Sequence, residues 1–197
     1  PLSDVTRNLD YPEIVADAGR ALTHLQPAER EVRAGKHFYV ARTIPYRTVD
    51  DHIAGVVLTF TDITTMKDAE AAKARLAAIV ESSSDAIVSK DLRGIVTSWN
   101  DGAKDIFGYT AAEMVGQPVA RLIPADRQAE EVGILRKIGA GETIKSFETV
   151  RVRKDGTTEP ISVTISPIKD AGGRIIGGST IARDVSEAKN ILAALLE

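Results

Sequence analysis

The sequence predicts an α+β fold: a five-stranded antiparallel sheet with short helices on one face, present once complete and once in part, with helical linkers. Three observations predict it. First, the stretch GVVLTFTDITTMKDAEAAKARL (55–76) returns in outline as GGSTIARDVSEAKNILAALL (177–196), setting Gly55 against Gly177, Asp62 against Asp184 and Lys67 against Lys189, each 122 residues apart (184 − 62). Upstream at the same offset YVARTIPYR meets ISVTISPIK, with Pro45 against Pro167. An interval of that size repeats a domain, not a solenoid unit. Second, the longer copy reads in the order β-β-α-α-α-α-β-β-β. Third, its strand-like runs are separated by turn chemistry at short spacing, the mark of antiparallel hairpins.

Taken in chain order, the first copy ends in two alternating strands, each of which stops near a proline or an aspartate. A charged, alanine-rich helix over 64–82 follows. The serine run Ser82-Ser83-Ser84 has no G-x-S-x-G setting and reads as the stop of that helix rather than a nucleophile. DAIVSKDLRGIVTSWN is then a hairpin, with Asp91 and Gly94 supplying the turn DLRG. In DGAKDIFGYTAAEMVGQPVARLIPADR, Gly108, Gly116, Pro118 and Pro124 interrupt every helical pattern within about two turns, so the helices there are short. Thr110 and Glu113 have capping-box spacing. Pro124 suits the entry of a longer helix, ADRQAEEVGILRKIGAG, which closes at Gly139 or Gly141. The remainder alternates and is broken by KDGT and DAGG, giving three strands in two hairpins.

Composition narrows the function classes. With 25 Lys+Arg against 28 Asp+Glu, a formal net charge of −3, there is no basic footprint for nucleic acid or an anionic membrane. No apolar run reaches membrane-spanning length, and the absence of cysteine fits a reducing, cytoplasmic setting. The start at Pro1 without a signal peptide is read as a piece of something longer. The three histidines, His24, His37 and His52, share no ligand spacing, so no metal site is expected. GGRIIGG lacks a dinucleotide-binding context, and the Glu130-Glu131 pair reads as a solvated helix face. Nothing assembles into a catalytic constellation.

Residues 77–189 resemble a PAS domain of the S-box type, carried by SSSDAIVSKDLRGIVTSWNDGAKDIFGYTAAEMVGQPVARLIP, RVRKDGTTEPISVTISPIKD and IARDVSEAK. Residues 9–66 resemble the back half of another: YPEIVADAGRALTHL, EREVRAGKHFYVARTIPYRT and IAGVVLTFTDIT. NLDYPEI with RTIPYRT is similar to PAS segments of histidine kinases and of chemotaxis methyltransferase and methylesterase fusions. The resemblance implies a partial PAS unit over 1–63, a connecting signalling helix over 64–82, a complete PAS domain over 83–184, and an exit helix over 185–197 toward an output domain in cis. It also implies a sensory and dimerisation module of bacterial signal transduction without catalysis of its own, as in two-component histidine kinases. The rival readings are a flavin- or haem-bound redox, gas or light sensor, and a small-molecule enzyme using the same cleft.

Three sets of site residues follow. Asp62 and Asp184 are placed to cap the helices after the last strands, satisfying their first N–H groups, with Asp184 and Glu187 close to a capping box. In the family this Asp-x-Thr/Ser element, here Asp62, Thr64, Asp184 and Ser186, joins sensor to signalling helix. The cleft between sheet and helices is expected to be lined by inward apolar residues: Ile87, Ile95, Trp99, Phe107, Met114, Leu122, Ile134, Leu135, Val150, Ile161, Val163, Ile165 and Ile181. No cofactor is expected there; these residues are read first as core filling, with an unknown small ligand as the alternative. The flavin adduct of light sensors needs a cysteine. RKDGTTEP resembles haem-bound oxygen sensors, but their axial histidine has no counterpart on the helix over 125–138. Finally Ile63, Met66, Ala69, Lys73, Leu76 and Val80, and again Val185, Ala188, Leu192 and Leu195, fall at three- and four-residue steps, a heptad-like seam that predicts a parallel homodimer.

Overall fold

Apolar and polar residues alternate from Ala28 to Asp62, and this run forms three antiparallel strands, β1 (Ala28–Ala34), β2 (His37–Arg47) and β3 (Ile53–Asp62), in the order β1-β2-β3. The helix α1 (Ile14–His24) lays Ile14, Ala18 and Ala21 on the sheet, where Tyr11, Ile14, Val32 and Ala41 form a small core. Asp17 lies in this interface at 1% exposure. It is held there by the Tyr11 hydroxyl at 2.7 Å and Arg30 Nε at 3.0 Å, and Tyr11 and then Arg30 keep its carboxyl below the usual range. The computed structural model describes residues 9–49 and 52–195. Asn8 of NLDYPEI and the side chains of Lys189 and Leu192 lie outside the described residues. The chain divides between Arg75 and Leu76 into two compact units.

The helix α2 (Thr64–Glu81) leads to the second unit, whose sheet is β4 (Ala86–Asp91), β5 (Val96–Trp99), β6 (Ile144–Val152), β7 (Thr158–Lys169) and β8 (Ile175–Asp184) in the order β5-β4-β8-β7-β6. Its helices are α3 (Asp101–Phe107), α4 (Ala111–Met114), α5 (Gln128–Gly139) and the exit helix α6 (Ser186–Ala194). The expected third short helix is a single 3₁₀ turn, Val119–Leu122, because Pro118 and Pro124 leave no room for an α turn. One apolar cluster, from Ala86 and Val88 through Trp99, Phe107 and Met114 to Ile161, Val163 and Ile165, fills the space between sheet and helices. No described helix is long and apolar enough to cross a membrane.

The internal repeat extends to strand register. β3 moved by the offset of the two aspartates lands on β8, Ile53 on Ile175 and Asp62 on Asp184. The cross-strand pairs move with it: Tyr39↔Asp62 becomes Ile161↔Asp184, and Pro45↔Val56 becomes Pro167↔Gly178. Even the irregularity coincides, falling between Tyr46 and Arg47 in one sheet and between Ile168 and Lys169 in the other. The last hairpin and the helix it launches are thus one structural unit used twice.

Candidate functional site

The residues that line the cleft of the second unit come from three layers. β4, β7 and β8 supply Val88, Ile161, Val163, Ile165, Thr180 and Ala182; the α3 end and the 3₁₀ turn supply Phe107, Val119, Leu122 and Ile123; α5 supplies Ile134. The space between them is about 40 Å³, enough for on the order of three waters. Of the expected lining, Phe107, Leu122, Ile134, Ile161, Val163 and Ile165 are therefore together at the cleft. Trp99 and Met114 are buried in the core away from it. The Trp99 indole donates to Tyr109 O at 2.9 Å and packs at a tilt on Phe107, so its polar edge is already satisfied by backbone.

Ile181 does not line the cleft: it is 44% exposed on the outer face of the sheet, directly opposite Ile87, which is half-buried on that same face. Ile95 and Val150 are likewise only half-buried, and so is Leu135. The physical reason is the phase of the strands. In β4 the inward set is Ala86, Val88 and Lys90, and in β6 it includes Thr149 and Arg151, so the large apolar residue beside each polar one points outward.

Those inward polar residues give the cleft its charge. Lys90, 3% exposed, donates to Glu131 Oε1 at 2.5 Å. Arg151 Nη1 donates to Glu130 Oε2 at 3.2 Å and to Thr149 Oγ1 at 2.9 Å, and Thr149 Oγ1 donates to Glu130 at 2.8 Å. Glu130 and Glu131 are therefore not a solvated face; each neutralises a cation reaching inward from the sheet. Burial pushes the Lys90 ammonium down from its usual range while Glu131 pulls it back up. Burial likewise acts to raise Glu130, but Thr149 and Arg151 outweigh it and hold the carboxylate low. A lysine ion-paired at this distance is a hydrogen-bond donor rather than a nucleophile, so the arrangement suits binding better than covalent chemistry.

The sheet-to-helix handover is built the same way in both units. Asp62 Oδ1 accepts from Thr64 N–H and Asp184 Oδ1 from Ser186 N–H, both at 2.8 Å. The first helical bond of α2 closes on Ile63 O, so the N-cap is Ile63 and Asp62 stands one residue earlier, its side chain bridging to the first helical N–H. Asp184 occupies the equivalent place before α6, and the expected box with Glu187 is replaced by contacts from the strands. Ile63 N–H donates to Phe38 O at 2.9 Å, and Val185 N–H to Pro160 O at 3.1 Å. The hydroxyls then differ: Thr64 Oγ1 accepts from Phe38 N–H at 2.9 Å, whereas Ser186 Oγ donates to Glu159 Oε1. Thr64 first holds the Asp62 carboxyl below its usual range; at Asp184 burial opposes, and Ser186 overcomes it.

Sequence reasoning missed Asn100, a buried side chain that makes four hydrogen bonds. At 2% exposure, its Oδ1 accepts from Ile87 N–H and Ala103 N–H, and its Nδ2 donates to Val80 O and Asp85 O. The signal available was the N-D-G triplet opening α3, an N-cap signature. On α2, by contrast, no residue is buried: Met66 is 58% and Leu76 65% exposed, with Ala69, Lys73 and Val80 also on the surface. The stripe is not packed on its own sheet.

Comparison with known proteins agrees with this geometry. A family profile described as PAS domain matches residues 84–187, and another of the same description matches 1–64. The chain is 32% identical over 111 residues to the signal transduction histidine-protein kinase AtoS of Escherichia coli, covering 56% of this chain and 18% of that protein. It is 29% identical over 159 residues to the sensor protein FixL of Bradyrhizobium diazoefficiens, covering 74% of this chain and 30% of that one. The chain thus spans less than a third of the length of these relatives. Among solved structures, the PAS domain of a Colwellia psychrerythraea protein superposes with a TM-score of 0.54 at 27% identity, covering 59% of this chain and 98% of that one. The chain therefore belongs to the PAS domain family, with a complete domain behind the back half of a second.

Proposed function

We propose that this chain is a sensory module of a signal-transduction protein, in which a change of packing or occupancy in the cleft of the second unit is passed to the exit helix α6. The observation that carries the reading is one rung of the sheet: Ile161, 1% exposed and on the cleft wall, is the cross-strand partner of Asp184 at the handover. A displacement of Ile161 moves the backbone to which α6 is tied. The relatives named as histidine kinases and sensors support an output domain in cis. The exposed stripe of α2 supports a parallel homodimer through Met66, Ala69, Lys73, Leu76 and Val80. The proposed module carries no flavin or haem, no catalysis of its own, and no nucleic-acid or membrane partner.

The test is Asp184→Ala in the full-length protein. Removal of the bridge to Ser186 N–H should cost on the order of 1 kcal/mol, which leaves the sheet folded and the first turn of α6 frayed. Regulated output should fail while hydrogen exchange rises from Val185 to Leu195 and the strands stay protected. An even rise across β4 to β8, or normal regulation, contradicts the proposal. Dimerisation is tested separately by light scattering: Leu76→Glu should shift a dimer toward monomer, and a monomeric parent chain at tens of micromolar excludes it.

A further inference from the structure

We propose that the cleft of the second unit takes a small carboxylate, seated on Lys90 and Arg151, with Glu131 as a built-in competitor for the same ammonium. This rests on the reading of that cleft as the responsive site and adds the class of ligand. Lys90 on β4 and Arg151 on β6, two strands separated by β8 and β7, both line the small space under α5. An ammonium carries three N–H donors. Among the described residues the one hydrogen-bond partner of Lys90 is Glu131, so a side chain 3% exposed holds spare donors beside a space large enough for an acetate-sized ion. Glu130 is not available in the same way, because Arg127, Thr149 and Arg151 all hold it.

Of the charges that line the space, Lys90 and Arg151 stand against Glu131. Glu130 meets Arg151 from outside the lining and is shared with Arg127, itself 40% exposed. The rest of the wall is aliphatic, with Val88, Leu122, Ile161 and Val163 placed to cover a short alkyl tail. Seating a ligand carboxylate on Lys90 exchanges one ion pair for another, so the desolvation already imposed on Lys90 is not repeated. The Glu131 side chain, once displaced, takes with it a tie between α5 and the sheet, and Ile161 at the cleft wall adjoins the tail.

The experiment titrates the 197-residue chain with acetate, propionate and butyrate, with propionamide as the uncharged control, following binding by calorimetry and the methyl resonances of Ile161 and Val163 by NMR. Saturable binding should favour propionate over propionamide by at least about tenfold. Lys90→Met should abolish the preference. Glu131→Gln should tighten propionate by about tenfold or more, a gain that misfolding cannot imitate. If propionamide binds as well as propionate, or Glu131→Gln brings no gain, the carboxylate assignment is overturned while a ligand-responsive cleft stands. If none of the four compounds moves the Ile161 and Val163 methyls, the carboxylate assignment is overturned, while the cleft reading stands or falls separately on Asp184→Ala.

Discussion

Replacing Asn100 by alanine tests whether the second unit hangs on one side chain. The amide makes four hydrogen bonds at 2.8 to 3.1 Å, two accepted from Ile87 and Ala103 N–H and two donated to Val80 and Asp85 O. Of the groups released, Val80 O still accepts from Ser83 N–H at 3.3 Å, which leaves Ile87 N–H, Ala103 N–H and Asp85 O to be rehydrated. Loss of the cap costs about 1 kcal/mol, and each buried group left without a partner about 1 to 3 kcal/mol. Partial rescue by entering water brings the sum to about 4 kcal/mol, a large share of the ~5–15 kcal/mol that holds a domain.

The reporter is internal to the unit: the protein has one tryptophan, Trp99, buried in this core next to Asn100. Urea unfolding followed by Trp99 fluorescence should show a midpoint lowered by about 2 M at a typical slope of ~2 kcal/mol/M. Asn100→Asp keeps the acceptor for both N–H groups but sets a buried carboxylate oxygen against the Val80 and Asp85 carbonyls, so at neutral pH it should not rescue the alanine loss. A loss below ~1 kcal/mol for the alanine variant, or an aspartate variant as stable as the parent at neutral pH, would refute the assignment of Asn100 as the hub joining α2, β4 and α3.

Gly102→Ala should destabilise the second unit despite the better helix propensity of alanine, because its Cβ would stand 2.4 Å from Asp85 O and 2.5 Å from Ser83 O. Gly133→Ala, with nothing within 4 Å of the new Cβ, should instead raise thermal stability by up to ~1 kcal/mol; equal effects at the two sites would count against the packing of α3 on β4. Glu113 is held at a pKa of about 2, first by Lys154 and then by the Thr110 N–H and hydroxyl, against a usual value of 4.5. Since the folded value is the lower one, its contribution is full above the unfolded pKa and disappears as pH falls toward 2. Carboxyl NMR should show that value rise in Lys154→Ala, and an unmoved titration would remove Lys154 as the cause.

How much of this was legible follows from which signals are local. DLRG, KDGT and DAGG carry their turn chemistry in consecutive residues, and Asp91, Asp155 and Asp170 do accept from the backbone two residues on. The offset between the two copies predicted the shared hairpin because register is itself local to a hairpin. The cleft wall was half legible. Reading apolar as inward succeeded on β7, where Ile161, Val163 and Ile165 alternate with small polar residues. It failed on β4 and β6, where Lys90 and Arg151 point inward and Ile87 and Val150 outward. A buried lysine is tolerable only with its counterion, and Glu131 lies on a helix in another part of the chain, beyond the reach of any pattern read along one strand. The N-cap position of Asn100 was local and visible; its bonds back to Val80 and Asp85 were not.

The two handovers share backbone geometry and differ in one chemical respect. The residue that donates its N–H to the Thr64 hydroxyl is Phe38, and its counterpart in the second unit is Pro160, which has no N–H. Ser186 therefore cannot repeat the contact and turns to the Glu159 carboxylate, which Arg153 Nη1 also binds at 3.2 Å. Glu159 is in turn the cross-strand neighbour of Arg151, whose guanidinium lines the cleft. Both handovers keep a backbone tie, Ile63 N–H to Phe38 O and Val185 N–H to Pro160 O. The difference is that the hydroxyl of the exit helix is bound to a side chain, one rung from the charges of the cleft, while that of α2 is bound to strand backbone. A single proline in place of phenylalanine is enough to separate the two.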